Sequence, residues 1–183
     1  MKATVLAVDD DGDLVALIAK VLGEDYTVLT AQDPGSALEL AAGEPHPDLI
    51  LLDVDMPGAT GFELIRVLKD DPATAAIPVV FLTAMTEAKD QAEGFELGAV
   101  DYVAKPINAA VLRARVRAHV ALANRRAELE RLVKERTAQL EAARVQIIRR
   151  LCRAMELHES AAVGNRVLRL AQYARLLAQA SGA

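Results

Sequence analysis

Four apolar runs of strand length in this chain each end on a polar residue. Residues 4–8 run into Asp9-Asp10-Asp11, 49–52 into Asp53, 79–82 into Thr83-Ala84, and 100–104 into Lys105-Pro106. The run Leu49-Ile50-Leu51-Leu52 is apolar at every position, which suits a central strand covered on both faces. Strands of that kind pair in parallel, and parallel neighbours need crossover connections, usually helices. The intervening sequence supplies them. Leu14, Leu17, Ile18, Val21 and Leu22 have helical spacing and stop at Gly23. Pro34 opens a second helix through Ala42, with Asp33 as its N-cap.

Beyond the Met56-Pro57-Gly58 loop, residues 61–68 read as a third helix, and 86–97 as a fourth, amphipathic and closed by Gly98. Residues 26–31 supply the remaining strand and 111–122 a fifth helix. The order βαβαβαβαβα predicts an α/β fold with a five-stranded parallel sheet flanked by helices. With right-handed crossovers its order is the flavodoxin-like 2-1-3-4-5. In such sheets ligands bind at the carboxyl ends of the strands, where all four polar endings lie. Carboxylates, one hydroxyl and one lysine are the donor set that magnesium-assisted phosphoryl transfer requires.

Charge divides the chain. Residues 1–122 hold 9 Lys and Arg against 20 Asp and Glu, net −11, whereas 123–183 hold 12 against 6, net +6. The division predicts an acidic domain at 1–122 and a basic helical extension. In the extension acids are interspersed with bases, so a solvated helix face explains it better than a nucleic-acid surface. No apolar run reaches the roughly 18 residues of a membrane span. The start lacks a signal-peptide apolar stretch. The single Cys152 forms no intrachain disulfide and reads as a small apolar helix residue. A cytoplasmic location is expected.

From Ile107 to Val163 there are 57 residues without proline or glycine, enough for a helix of about 85 Å at 1.5 Å per residue. Past the segment that packs on the sheet, Leu122, Leu129, Val133, Leu140, Ala143 and Ile147 follow an a/d spacing, although Arg126 and Arg136 fall in the same frame. A stripe this long needs a partner. The expectation is a parallel two-stranded coiled coil over 123–160 with Leu122, Leu129, Val133, Leu140 and Ile147 as the dimer seam. A long helix packed on another domain is the alternative. Gly164 then turns the chain, and 161–183 closes a helical hairpin.

Val8-Asp9-Asp10, Leu52-Asp53-Val54-Asp55-Met56-Pro57-Gly58, Thr83-Ala84 and Asp101-Tyr102-Val103-Ala104-Lys105-Pro106 together resemble the receiver domain of two-component response regulators. They keep its order and spacing over about residues 3–122. The resemblance implies that Asp53 accepts a phosphoryl group from a sensor histidine kinase or phosphotransfer protein. It implies Mg²⁺ held by Asp10, Asp53 and the backbone carbonyl of Asp55, with Asp9 acting indirectly. Thr83, Lys105 and the Ala84 backbone would hold the phosphoryl group. Thr83 and Tyr102 would form the switch, and the peptide before Pro106 would be cis. Asp11 and Asp13 read instead as a turn and a helix N-terminus.

The tail carries a second resemblance. Leu151-Cys152-Arg153-Ala154-Met155-Glu156-Leu157 and the stretch from Gly164 to Ala178 are similar to the opening of HD-GYP domains, metal-dependent hydrolases of cyclic di-GMP often joined to receivers. Ala162 and Arg166 stand where that family has metal ligands, and its His-Asp and GYP motifs are absent. With only His46, His119 and His158 in the chain, no bimetallic hydrolase centre can be assembled. The expectation is a switch rather than a turnover enzyme, passing its signal to a C-terminal output segment. The alternatives are the regulatory part of a cyclic di-GMP phosphodiesterase, a DNA-binding regulator, and phosphotransfer through His158.

Overall fold

Five strands take up the apolar runs: β1 (Thr4–Val8), β2 (Thr27–Ala31), β3 (Leu49–Asp53), β4 (Val79–Thr83) and β5 (Asp101–Ala104). They pair in parallel in the order β2-β1-β3-β4-β5. The computed structural model describes residues 2–84, 93–158, 172–176 and 179, and the side chains of all of these but 154–158. It separates into two compact units, Met1–Ala127 and Glu128–Ala183.

The strands reach slightly further than their apolar runs. Asp53 pairs with Leu82 and Thr83 with Ala104, because the ladder needs only backbone groups and is indifferent to a polar side chain. β5 conversely begins one residue late, with Val100 exposed and its amide donating to the Val79 carbonyl. The fifth pairing partner that 26–31 supplies also loses Tyr26 from the strand.

Alternation along each strand divides the core into two layers. Leu6, Val8, Ile50, Leu52, Val79 and Phe81 face one side, against α2 (Pro34–Ala42) and α3 (Gly61–Asp70). Val5, Ala7, Leu49, Leu51, Val80 and Leu82 face the other. There they meet Ile18 and Leu22 of α1 (Gly12–Leu22) and Leu112, Val116 and Val120 of α4 (Ala109–His158). These three α4 residues sit at successive i, i+4 positions, the stripe a sheet-packed helix must present.

The helices α1 to α4 each start on a polar cap. Asp11 accepts from the amides of Asp13 and Leu14, and Asp33 from that of Ser36 with Pro34 opening the helix. Thr60 and Glu63 form a capping box on α3, and Asn108 Oδ1 accepts from Ala110 and Val111 at the start of α4. Caps of this kind satisfy otherwise orphaned amides. Helical residues 93–96 lead to Gly98, whose φ of 95° needs glycine. The rest of the helix expected at 86–97 falls largely outside the described residues.

The rim at the amino ends of the strands is closed by side chains gripping backbone. Thr4 and Asp48 exchange two bonds, the Thr4 amide to Asp48 Oδ2 at 2.7 Å and the Asp48 amide to the Thr4 carbonyl at 2.8 Å. The Lys69 ammonium donates to the Ala75 and Ile77 carbonyls at 3.0 and 2.7 Å, and the Asp71 amide, donating to the Val67 carbonyl, closes α3 two residues past Leu68. Buried Thr74 donates to the Leu68 carbonyl, and His46 Nε2 lies 3.1 Å from the Ala73 carbonyl.

Within the second unit, α4 runs on to His158 without interruption. Val133, Leu140 and Ile147 are more than half exposed there, as are Leu129 and, in the first unit, Leu122. Val145, Ile148 and Cys152 are half-buried and lie on a different face from that stripe. Residues 172–176 are helical. The turn at Gly164, Ala162, Arg166 and most of the expected hairpin lie outside the described residues, as does the His158 side chain.

Candidate functional site

The sheet's carboxyl edge gathers the four polar endings. Backbone bonds fix their levels: the Asp9 amide donates to the Ala31 carbonyl at 3.2 Å, Val54 to Leu82 at 3.2 Å, and Lys105 to Thr83 at 2.8 Å. β1 therefore delivers Asp9 and Asp10, β3 delivers Asp53, β4 ends on Thr83, and β5 leads into Lys105. Asp9 is wholly buried, Asp53 and Thr83 nearly so, and Asp10, Asp55 and Ala84 are exposed. The Lys105–Pro106 peptide is cis.

Lys105 holds the centre together. Its ammonium lies 2.7 Å from Asp9 Oδ2 and 2.7 Å from Asp53 Oδ1. Burial alone would lower its pKa, but the two carboxylates outweigh that and hold it above the usual lysine range. Asp53 is displaced upward. Burial is the main cause, and the neighbouring Asp9 charge adds to it. Bonds from Lys105 and the Asp55 amide oppose the shift without cancelling it. Among the described residues one ammonium thus faces three carboxylates, two of them buried, and negative charge is in excess.

That excess, together with the donor geometry, fits a hard divalent cation. One oxygen each from Asp9, Asp10 and Asp53 can lie within 4.8 Å of one another. Carboxylate oxygens in such a group suit Mg²⁺, which binds through a few carboxylates and keeps its remaining positions for water or phosphate oxygens. Asp9 belongs to this group as well as Asp10. Magnesium at about ten times its dissociation constant is expected to stabilise the fold by about 1.4 kcal/mol. A thermal-shift comparison should show Asp10→Asn losing most of that gain; an undiminished shift would count against the assignment.

At the amino end of β5 is a cluster that pattern reading did not find. Asp101, the first residue of β5, accepts from Arg115 Nη1 on both carboxylate oxygens and lies 2.9 Å from His119 Nε2. Its own backbone neighbour Tyr102 donates to Oδ1 at 2.8 Å. The Arg115 guanidinium carbon lies 5.7 Å from the centre of the Tyr102 ring, and Phe95 meets that ring edge-on at 6.3 Å. The helical i, i+4 spacing of Arg115 and His119 was the available signal, but nothing in the sequence said that this face of the helix meets Asp101.

Burial pushes the Asp101 carboxyl up, yet the bonds from His119, Arg115 and the Tyr102 amide outweigh it and hold the group below the usual carboxylate range. A depressed native pKa contributes stability above the unfolded value, about 3.9, and loses it as pH falls through the native one. Asp101→Asn is expected to cost about 1–3 kcal/mol at neutral pH. In urea titrations the gap between variant and wild type should close below about pH 4. A gap that widened there would refute the ion-pair account.

Comparison with known proteins agrees with this geometry. A family model described as the response regulator receiver domain matches residues 5–117. The chain is 37% identical over 185 residues to a Vibrio cholerae protein named "Probable cyclic di-GMP phosphodiesterase", a match covering 97% of this chain and 42% of that protein. It is 49% identical over 118 residues to the response regulator PleD of Caulobacter vibrioides, covering 64% of this chain and 26% of the relative. Among solved structures, the Vibrio cholerae chemotaxis protein CheY4 is similar at a TM-score of 0.61 and 32% identity, over 64% of this chain and 98% of that one. The chain therefore spans less than half the length of either of these two curated relatives.

Proposed function

The chain belongs to the response regulator receiver family, and from that premise we propose that Asp53 is its phosphoacceptor, serving a sensor histidine kinase or a phosphotransfer protein. The observation that carries this reading is a buried carboxylate, Asp53, gathered with Lys105 and the Asp9–Asp10 pair at the carboxyl edge of the sheet. A carboxylate oxygen of Asp53 attacks phosphorus and the phosphohistidine nitrogen departs, leaving an acyl phosphate. Asp10, Asp53 and the Asp55 carbonyl would hold Mg²⁺, with Asp9 acting indirectly; when bound, the cation supplies positive charge to the phosphoryl oxygens.

The chain's own groups do the rest. Lys105 neutralises charge as the phosphoryl group arrives. The Thr83 hydroxyl and the Ala84 amide donate to it afterwards, and Tyr102 follows the movement of Thr83. Incubation with acetyl phosphate and Mg²⁺ should raise the intact mass by one phosphoryl group, and chelation with EDTA should prevent it. An unchanged mass in magnesium buffer would overturn the proposal.

The output is proposed to be a homodimer through α4, with Leu122, Leu129, Val133, Leu140 and Ile147 as its seam. These leucines, valine and isoleucine are exposed in the single chain, and pairing two copies would bury them. Leu140→Lys should weaken self-association by about 100-fold or more, as a lost pair of buried leucines implies; sedimentation equilibrium measures it. One observation favours a further reading. The match to the Vibrio cholerae relative extends through α4 into the tail, which supports a role as the regulatory portion of a cyclic di-GMP phosphodiesterase.

A further inference from the structure

Asp101 is held by three donors from two elements: the Tyr102 amide on β5, and Arg115 and His119 on consecutive turns of α4. Arg115 Nη1 donates to both oxygens of the Asp101 carboxylate, and this charge-assisted contact anchors that end of the guanidinium. That guanidinium then stands 5.7 Å from the Tyr102 ring centre, within cation–π range. The direction of cause matters. Arg115 is aimed by Asp101 and not by the ring, so the cation is in place wherever the ring goes. Among the described residues Phe95 also meets the ring, but it is half exposed and offers a softer hold.

We infer that Arg115 is a positioning residue for the switch: clamped by Asp101, which His119 holds in turn, its guanidinium holds the Tyr102 ring in the unphosphorylated arrangement and so sets how readily the site accepts a phosphoryl group. This rests on the proposed coupling of Tyr102 to Thr83. A ring that turns inward gives up the attraction to Arg115, while the Asp101 clamp stays closed. The attraction therefore weighs on one side of the equilibrium only, as a shift in population requires. Because Arg115 and Asp101 belong to different elements of the first unit, the same clamp ties the start of α4 to β5.

The test uses the full chain and beryllofluoride with Mg²⁺ as the phosphoryl mimic, its affinity read by titration calorimetry. Arg115→Met should bind beryllofluoride about 2–5-fold more tightly than wild type, the factor expected on losing one partly exposed cation–π contact. In a Tyr102→Leu background the same substitution should leave affinity unchanged, because the ring through which Arg115 acts is gone. Loss of a merely structural ion pair would move both backgrounds equally, and that result would overturn the inference. Arg115→Gln replaces the methionine variant if circular dichroism shows the latter unfolded.

Fluorine spectra of protein labelled with 3-fluorotyrosine separate the two levels of failure, since the chain has only three tyrosines. A Tyr102 signal that moves on binding, with unchanged affinity in Arg115→Met, overturns this inference alone. A Tyr102 signal that stays fixed in wild-type protein removes the switch and the role of Arg115 together.

Discussion

Asp53→Asn is expected to abolish labelling by acetyl phosphate, by more than about 10³-fold, since it removes the attacking oxygen while leaving its neighbours in place. The substitution should not unfold the protein. Lys105 bridges Asp53 and Asp9, so it remains paired when Asp53 becomes neutral. The Asp53 carboxyl is held above its usual range chiefly by burial, with Asp9 adding to it, which means that ionised Asp53 works against the folded state. Magnesium-free Asp53→Asn should therefore melt at or above the wild-type temperature. Intact mass and a thermal scan check both halves. Residual labelling at wild-type rate would place the acceptor elsewhere, and a lowered melting temperature would show that Asp53 supports the apo fold.

The second large effect is steric. Gly61 opens α3 directly behind the acceptor, its amide donating to the Val54 carbonyl at 2.9 Å. A Cβ built there would stand 2.2 Å from the Asp53 carbonyl oxygen and 3.0 Å from the Val54 Cα. Both are backbone atoms of the strand end that carries the site, so nothing flexible can move aside. Gly61→Ala is expected to destabilise the protein by about 2–4 kcal/mol, far beyond the gain of about 0.4–1 kcal/mol that Gly→Ala gives where space allows. Surviving folded protein should also phosphorylate more slowly, because Asp53 must shift against Lys105. Urea denaturation measures the first effect and labelling rate the second. A neutral or stabilising result would mean that the loop from 54 to 60 yields without disturbing the strand.

Why some of this could be read in advance and some not follows from how far apart the partners lie. The strand endings were legible because an apolar run stopped by a charge announces both the strand and its exit. Asp11 and Asp33 as helix starts needed only local chemistry. The bridge from Lys105 to Asp9 required the register of the strands, which no single segment states. Asp101 with Arg115 and His119 required the rotational phase of α4 against β5. Gly61 looked like an ordinary helix start, because its constraint comes from the backbone of Asp53 and not from its own neighbours. The exposed residues Leu129, Val133, Leu140 and Ile147 were visible as a period, which tells of an apolar face without naming what covers it.

The two ends of the sheet answer to different demands. At one end Lys69, Thr74, Thr4 and Asp48 lock loops to strands through bonds that involve no phosphoryl chemistry. At the other, carboxylates of like charge crowd around the Lys105 ammonium. Tenacity is thus stored where reactivity is not, and an engineer could toughen this scaffold from below, or drift could loosen it there, with the chemistry at the mouth left undisturbed.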